Sequence, residues 1–209
     1  MATTILVNQP VYPAMARPSN TETRRSEIVQ ALLTVMARHG YEKATIQLIA
    51  REARLSPGLL HYHFKHKQEI LVALVEALAD YAEHRFARLC DGQSQPRQQL
   101  EAYLHAWLSL GEGASPERVA AWVMIGAEAV RQPEVRTVYQ RVIEAELSRL
   151  RGLIQQVQPH KPEPFASTLA ASLLAMITGS AQLACATRDI MPSAYAAQAA
   201  IDYLRQALA

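Results

Sequence analysis

Glycine and cysteine are scarce in this sequence. Its 209 residues include 8 glycines and 2 cysteines, whereas Ala, Leu, Glu, Gln and Arg, which favour helices, are abundant. We therefore expect an all-α protein. Cys90 and Cys185 lie far apart and do not form a pair with metal-site spacing, so reduced thiols in a cytosolic protein are favoured over a disulfide or a metal site.

A long uninterrupted apolar run is also missing, although half of the residues are hydrophobic. No run approaches the roughly 18 residues needed to cross a bilayer, so we expect no membrane association. Residues 1–18 lack the charged start, apolar core and cleavage site of a secretory signal. We expect these residues to form a disordered tail.

The net charge is small but unevenly distributed. The whole chain has a formal net charge of +2. Residues 1–67 contain nine Lys or Arg and four Asp or Glu, a balance of +5. Residues 68–209 contain twelve and fifteen, a balance of −3. A basic N-terminal part on a mildly acidic body is typical of DNA-binding proteins, although a solvated basic surface would give the same counts.

One stretch, residues 45–67, predicts two short helices joined by a tight turn. Thr45 can cap the first helix, whose apolar residues follow helical spacing. Ser56 is a suitable cap for the second helix, in which Leu60 and Phe64 serve as anchors and the other side chains face outward. This pattern predicts a helix-turn-helix whose second helix lies in the major groove of DNA.

The side chains of this stretch form two groups according to what they could contact on DNA. Phosphate contacts, which set register and much of the affinity, are expected from Thr45, Ser56, Pro57, Gly58, Tyr62 and Lys67. Base-edge contacts are expected from Gln47, Leu59 and His61, since glutamine can pair with adenine and leucine can contact a thymine methyl group. Core packing is the alternative role for Tyr62 and Phe64, and we favour it only for Phe64.

Residues 24–76 resemble the DNA-binding domain of the TetR family of repressors. The resemblance is carried by Ile28, Gly40, Tyr41, Thr45, Ile49, Ala50, Ala53, Ser56, Gly58, Leu60, Tyr62, His63, Phe64 and Lys67. It implies a three-helix DNA-binding head and a second helical domain for ligand binding and dimerisation. Arg54 departs from the family, which usually has glycine in the turn, and His61 stands where tyrosine is frequent. A left-handed Arg54 would cost roughly 1 kcal/mol, so we expect a slightly altered turn.

Apolar periodicity and proline or glycine boundaries divide the chain into about nine helices. Besides the two short helices, we expect helices at 22–39, 67–90, 96–110, 116–131, 133–157, 164–186 and 192–208. Residues 19–66 would form the DNA-binding head, and residues 67–209 would form the ligand-binding and dimerisation domain. The helix at 67–90 begins in the head and ends in the body, so we expect it to transmit conformational changes. Its inward face is expected to contain Ile70, Leu71, Leu74, Val75, Leu78, Phe86 and Leu89.

The last two helices have the composition of a subunit interface. Small residues allow two helices to approach closely, and here they are Ala170, Ala171, Ala175, Gly179, Ser180 and Ala184. Other apolar residues accompany them: Leu169, Leu173, Leu174, Met176, Ile177, Ala181, Tyr195, Ile201, Tyr203 and Leu204. Packing within one subunit is the alternative. A palindromic DNA site requires two heads, which favours a two-fold, four-helix interface.

The middle helices are expected to hold a small-molecule pocket. The candidate residues combine large apolar surfaces with a few polar tips, as ligand sites do: Tyr103, Trp107, Trp122, Met124, Glu128, Met176 and Gln182. Each aromatic residue, taken alone, is more often part of a core than a ligand contact. Glu128 could pair with Arg131 instead of with a ligand amine.

The segments AAWVMIGAEAVRQPEV and LLAMITGSAQLACA resemble the C-terminal domain of the choline-responsive BetI branch of the TetR family. That branch tends to have tryptophan where this chain has Gly126 and Ala181. Because an aromatic cage for a quaternary ammonium needs such rings, the resemblance implies the architecture and not choline as the ligand.

The sequence gives less support to two other classes of function. A metal-dependent enzyme could use His61, His63 and His66, but only the last two share a side of a helix, and no further ligands complete a site. A helical adaptor that binds only protein would leave the helix-turn-helix pattern unexplained. The sequence therefore predicts a cytoplasmic, homodimeric transcriptional repressor without enzymatic activity or cofactor. It would bind double-stranded operator DNA and be released by a small-molecule effector.

Overall fold

Helices make up all the regular secondary structure in the part of the chain that the structure describes. This computed structural model describes residues 20–108, 115–187, 190–192 and 194–209. The helices in these ranges are α1 (Asn20–His39), α2 (Ile46–Glu52), α3 (Pro57–His63), α4 (Lys67–Cys90), α5 (Pro96–Leu108), α6 (Pro116–Arg131), α7 (Pro133–Val157), α8 (Glu163–Ala186) and α9 (Tyr195–Ala207). The all-α prediction is confirmed. The tail expected at residues 1–18 lies outside the described residues.

Side-chain caps define the starts of the two helix-turn-helix helices, α2 and α3. The Thr45 hydroxyl accepts a hydrogen bond from the backbone N–H of Leu48 at 3.2 Å. The Ser56 hydroxyl accepts one from the N–H of Leu59 at the same distance, 3.2 Å. Each cap satisfies an N–H group that the first turn of a helix leaves unpaired. Pro57 occupies the first turn of α3, where a missing N–H has no cost.

Two residues with positive φ redirect the chain within the head. Gly40, at the end of α1, has a φ of +77°. Arg54, between α2 and α3, has a φ of 56°, which is the left-handed region that disfavours residues with a Cβ. Arg54 therefore adopts the left-handed conformation itself and carries its conformational cost.

The first hydrophobic core joins the head to the body. It combines residues of α1, α2, α3 and the first half of α4 with residues of α6 and α7. Phe64 in the head and Ile125 and Val135 in the body are all fully buried within it. The expected boundary between residues 66 and 67 is therefore not a gap between two cores, because α1 packs on α6 and α4 passes through both parts.

The second core lies in the far half of the body. It is built from the end of α4 together with α5, α7, α8 and α9. Leu100, Leu104, Ile154 and Leu173 are fully buried there. Helix α4 contributes to both cores. Its first half packs in the core that includes the head, and its end packs in the core of the far half of the body.

Some helix details differ from the expectations. Leu89, expected to face inward on α4, is 40% exposed, whereas Arg85 on the same helix is only 8% exposed. Helix α9 begins at Tyr195 and not at residue 192, because Ala194 has a φ of 59° that a right-handed helix does not accommodate. Helix α5 is described as far as Leu108, and its expected end at residue 110 lies outside the described residues.

Helix α8 is apolar along its whole length, although no uninterrupted apolar run was found in the sequence. By length and composition it could cross a membrane, with a mean hydropathy of 1.6 in an 18-residue window of which 22% is buried. Its largest side chains, including Leu169, Leu173 and Ile177, pack in the second core. Its exposed face consists mainly of small residues: Ala171, Ala175, Gly179 and Ala184. The large apolar residues expected at a subunit interface thus serve mostly the core of one subunit.

Candidate nucleic-acid interface and internal cavity

Helix α3 has an exposed side opposite its buried anchors. Phe64, at the end of the helix, is fully buried, whereas Leu59 is 41% and Tyr62 is 73% exposed. Gln47 on α2 and His61 on α3 are exposed as well. The structure thus brings the three predicted base-edge residues and Tyr62 to the surface of the same helix pair, and it leaves Phe64 in the core as predicted.

Most of the residues predicted to contact phosphates are also exposed. Thr45, Ser56, Pro57 and Gly58 all lie at the surface. The two hydroxyl oxygens accept backbone hydrogen bonds, so their own protons remain available for donation. A Cβ at Gly58 would meet nothing within 4 Å, so no contact inside the protein requires glycine there.

Lys67 has a structural role that its sequence position did not reveal. Its Nζ donates to the carbonyl oxygens of Tyr41 at 2.9 Å and Glu42 at 3.4 Å, and it lies 4.1 Å from the centroid of the Tyr41 ring. Burial lowers the pKa of Lys67, and the charges of Glu128 and Glu42 oppose that effect. Lys67 therefore holds the loop between α1 and α2 in place, a role that its predicted phosphate contact did not include.

A polar network connects the head to the corner between α6 and α7. We call it the junction cluster, and it consists of Glu42, Gln68, Glu128, Arg131 and Gln132. Arg131 Nη2 lies 3.0 Å from Glu42 Oε1 and 3.3 Å from Glu128 Oε1. Gln132 Nε2 donates to Glu128 Oε2 at 2.7 Å, and Gln68 Nε2 donates to Gln132 Oε1 at 3.0 Å. Glu128, which is 7% exposed, therefore has the alternative role of an ion pair with Arg131 and does not line the cavity described next.

A partly open cavity of about 70 Å³ lies among α4, α5, α6 and α8. Its wall is mostly apolar and includes residues from all four helices: Leu78, Tyr81, Ala82, Arg85, Ala106, Trp107, Ser115, Arg118, Val119, Trp122, Ile177, Thr178 and Ala181. Helix α4, which begins in the head, forms one side of this wall. The cavity therefore borders the helix that connects the body to the head.

Two of the predicted ligand-binding residues line the cavity. Trp107 and Trp122 meet there, with ring centroids 6.1 Å apart. The other predicted residues lie elsewhere: Tyr103, Met124, Glu128, Met176 and Gln182. The two methionines pack against the first and second cores, and the glutamine is exposed. The predicted residues thus share α5, α6 and α8 with the cavity wall, but most of them lie on other sides of these helices.

Tyr103 belongs to a buried polar pair behind the cavity wall. Its hydroxyl donates to Glu146 Oε2 at 2.6 Å, and the two residues are 1% and 8% exposed. Burial raises the pKa of the Glu146 carboxyl, against the opposing influences of the Tyr103 hydrogen bond and Arg149. Burial also raises the pKa of Tyr103, and the neighbouring Glu146 adds to this. The Tyr103 ring lies 6.4 Å from that of Trp107, so this pair supports the wall from outside.

Two arginines of the cavity wall, Arg85 and Arg118, were not among the residues predicted from the sequence. Arg85 is buried, and its Nη1 donates to the carbonyl oxygen of Ala106. Burial lowers the pKa of Arg85. The Arg118 guanidinium lies over the Tyr81 ring, with Cζ 4.1 Å from the centroid. A signal for Arg85 was present, because it follows Leu78 by seven residues and so shares the apolar face of α4.

Family comparisons cover both parts of the chain. The family described as "Bacterial regulatory proteins, tetR family" matches residues 28–74, and "BetI-type transcriptional repressor, C-terminal" matches residues 96–209. The chain belongs to the TetR family. The second match gives this TetR-family chain a C-terminal domain of the BetI type, as the sequence resemblance implied.

Individual relatives agree with this assignment. The HTH-type transcriptional regulator BetI of Rhizobium meliloti is 31% identical to this TetR-family chain over 157 residues, 75% of each protein. BetI of Pseudomonas aeruginosa is 30% identical over 190 residues, which is 89% of this chain and 93% of the relative. A putative transcriptional regulator from Saccharomonospora viridis, solved in complex with choline, has the same fold. Its TM-score is 0.77 at 22% identity, over 88% of this chain and 96% of that one.

The molecule is therefore a helix-turn-helix transcriptional regulator with the domain arrangement of BetI-type repressors. The predicted family, fold class and general function are confirmed. Its relatives are regulators and not enzymes, so the alternative of a metal-dependent enzyme is not supported.

Proposed function

We propose that this regulator binds an operator as a homodimer and leaves it when a small molecule occupies the cavity among α4, α5, α6 and α8. The position of α4 is the observation that carries the proposal. Lys67, at its start, donates to the Tyr41 carbonyl of the head, and Leu78 to Arg85 border the cavity. A ligand that prefers one position of α4 would therefore change the spacing of the heads. Its effect is limited to its difference in affinity between the two positions.

The exposed surface of α2 and α3 supports specific contacts with DNA. In this proposal Gln47, Leu59 and His61 contact base edges, because they lie at the surface beside the buried anchors of α3. The phosphate contacts come from Thr45, Ser56, Pro57, Gly58, Tyr62 and Lys67. Lys67 stays in this set because an ammonium group has three N–H donors and two are directed at backbone carbonyls.

The exposed side of α8 supports a two-fold subunit interface. Its small residues, such as Ala171, Ala175 and Gly179, leave room for a second helix to approach. Leu183 on α8 and Tyr203 on α9 are 40% and 39% exposed, and a partner subunit would cover them. Pairing of α8 and α9 from two subunits would hold two heads at a palindromic DNA site. In this proposal the protein acts in the cytoplasm, where bacterial DNA lies.

Selection of duplexes from a random DNA pool by the full-length protein tests this function. We expect an inverted repeat whose half-sites are separated by about 34–36 Å or a multiple of that distance. The affinity should fall linearly on a logarithmic scale as salt rises, since phosphate contacts release counterions. Recovery of no common sequence, or an affinity that does not change between low and moderate salt, would contradict the proposal.

A further inference from the structure

The residues expected to contact phosphates include only one cation. Lys67 is that cation, and the side chains or backbones of the other five are neutral. Its ammonium group already donates to two backbone carbonyl oxygens. Release of counterions from DNA scales with the number of phosphates that lysine and arginine neutralise. A further cation beside α3 that has no partner within the protein would therefore add to the affinity for DNA.

Arg54, in the turn between α2 and α3, is a cation of this kind. Its side chain is exposed, and its guanidinium forms no hydrogen bond or ion pair with any residue that the structure describes. Glu27 and Glu52 line the same surface groove as Arg54. Each already has another partner, Arg24 at 2.7 Å and Arg38 at 3.3 Å. Three arginines and two glutamates leave a net charge of +1 here, so the charge of Arg54 is available to a partner outside the protein.

The position of Arg54 places it next to the expected path of the DNA backbone. It lies two residues after the end of α2 and two residues before Ser56, which caps α3. When a helix-turn-helix binds DNA, its first helix crosses the backbone and the start of its second helix enters the major groove. The turn that connects the two helices therefore lies beside the phosphates. The planar N–H groups of an arginine match the oxygens of a phosphate.

The backbone conformation of Arg54 also favours an external role for its side chain. Its φ of 56° disfavours residues with a Cβ, whereas glycine adopts this region at no steric cost. The turn is fixed, because the N–H of Leu55 donates to the carbonyl oxygen of Ala50 at 2.9 Å. Strained residues concentrate at functional sites. Here the strain is not offset by a hydrogen bond or ion pair of the guanidinium to a described residue, which indicates a partner outside the chain.

We propose that Arg54 binds a phosphate of the DNA backbone beside the start of α3. The proposal rests on the proposed function, since it adds a charged residue to the same DNA-binding surface. A phosphate contact carries no information about the base sequence. Arg54 therefore strengthens binding to operator and random DNA alike, and the free protein is less stable because of it.

Fluorescence anisotropy over a range of salt concentrations tests this proposal with three variants of Arg54. The probes are a duplex selected from the random pool and a scrambled duplex of the same length. Arg54→Gly and Arg54→Gln should weaken binding to both duplexes about tenfold. Both should also lower the logarithmic slope of affinity against salt by about one unit. Arg54→Lys keeps the charge and should keep the slope of the wild type. Arg88→Gln is the control, because Arg88 is exposed on α4 in the body, and it should change neither quantity.

Comparison of the variants separates a phosphate contact from an effect on the turn. Arg54→Gly removes the strain as well as the charge, so it should bind DNA less tightly although its melting temperature is higher. The proposal would be overturned if Arg54→Gln kept the affinity and slope of the wild type, or if Arg54→Lys lost as much slope as Arg54→Gln. A lower melting temperature of Arg54→Gly would also overturn it, because the arginine would then have a partner within the protein.

The wild type decides whether a negative result concerns Arg54 or the proposed function. A wild type that selects a common duplex and binds it with steep salt dependence, while the Arg54 variants bind equally well, refutes only the contact from Arg54. A wild type that selects no duplex refutes the proposed function, and the phosphate contact with it.

Discussion

The exposed and buried side chains of α3 have separate tasks. Leu60 and Phe64 are fully buried and hold the helix on the first core. Tyr62 is 73% exposed, so its ring contributes little hydrophobic stabilisation to the fold. A residue of this type at the surface of a helix-turn-helix is better suited to a DNA partner than to the fold. Substitutions on the exposed side should therefore change DNA binding and leave stability nearly unchanged.

His61 and Tyr62 are expected to differ in what they contribute to DNA binding. His61→Ala should cost about 1–3 kcal/mol at one base pair of each half-site and leave random-DNA affinity nearly unchanged. Tyr62→Phe should weaken binding to operator and random DNA by similar factors, since it removes a phosphate donor. Fluorescence anisotropy with both kinds of duplex measures the two effects.

Thermal melting supplies the control for these two variants. Both side chains are exposed, so neither substitution should lower the melting temperature appreciably. A lower melting temperature with unchanged DNA specificity would mean that these residues pack in the protein and that the DNA-binding face is rotated around α3.

Glu146 makes stability depend on pH in a predictable direction. Its pKa is raised in the folded protein by burial, so the native state holds its proton more tightly than the unfolded chain does. The contribution of Glu146 is greatest below the ordinary pKa of 4.5 and is lost as pH rises through the raised pKa of the folded state. Relative to the Glu146→Gln variant, the wild type should therefore lose free energy of unfolding as pH increases above that point.

Urea unfolding of both proteins at several pH values measures this difference. Glu144→Gln is the matched control, because Glu144 is exposed on the same helix, α7. Its difference from the wild type should not have this pH dependence. The burial argument would be contradicted if the difference in free energy of unfolding between the wild type and Glu146→Gln did not change with pH. It would also be contradicted if the wild type became more stable relative to Glu146→Gln as pH rises.

At the scale of helices and turns, the turn between α2 and α3 contains backbone strain that a substitution can remove. Arg54 has a φ of 56°, and a left-handed residue with a Cβ costs roughly 1–2 kcal/mol. Glycine loses about 0.5–1 kcal/mol more conformational entropy on folding, so Arg54→Gly should raise the free energy of unfolding by about 0.5–1 kcal/mol. Arg51→Gly, inside α2, should instead lower it by about 1 kcal/mol. Urea unfolding measures the free energy of unfolding of both variants, which can be compared directly if the two curves have equal slopes. A destabilised Arg54→Gly would show that the arginine side chain makes stabilising contacts that offset the strain.

Local features of these helices could be predicted from the sequence, because they depend on neighbouring residues. The caps at Thr45 and Ser56 each follow from a few adjacent positions. The cavity could not be predicted in this way. Its wall depends on how α4 and α6 are rotated towards each other, and so Arg85 and Arg118 were missed while Met124 and Glu128 were chosen. The internal role of Lys67 was hidden for the same reason, since its partners are 25 and 26 positions away.

At the scale of the whole molecule, the exposed face of α8 has a testable consequence for assembly. A Cβ at Gly179 would meet nothing within 4 Å in one subunit, so Gly179→Trp should fold. In a close two-fold packing of α8 the indole would collide with the partner helix. Sedimentation at micromolar concentration should therefore show a dimer for the wild type and a monomer for Gly179→Trp, with loss of operator binding.

Gly179→Ala provides the matched control at the same position. A methyl group adds little volume and favours the helix, so this variant should remain dimeric and bind the operator. A monomeric wild type, or a dimeric Gly179→Trp with full operator affinity, would exclude this face as the interface.

The junction cluster affects how the ionic-strength dependence of DNA binding can be interpreted. The ion pair between Arg131 and Glu42 joins the body to the head while both side chains are largely exposed, at 60% and 76%. Added salt screens such a pair, just as it weakens contacts with phosphates. The logarithmic slope of affinity against salt would then combine displaced counterions with looser attachment of the head. A count of phosphate contacts taken from that slope would be too high for the wild type, and comparison with Glu42→Gln would reveal the excess.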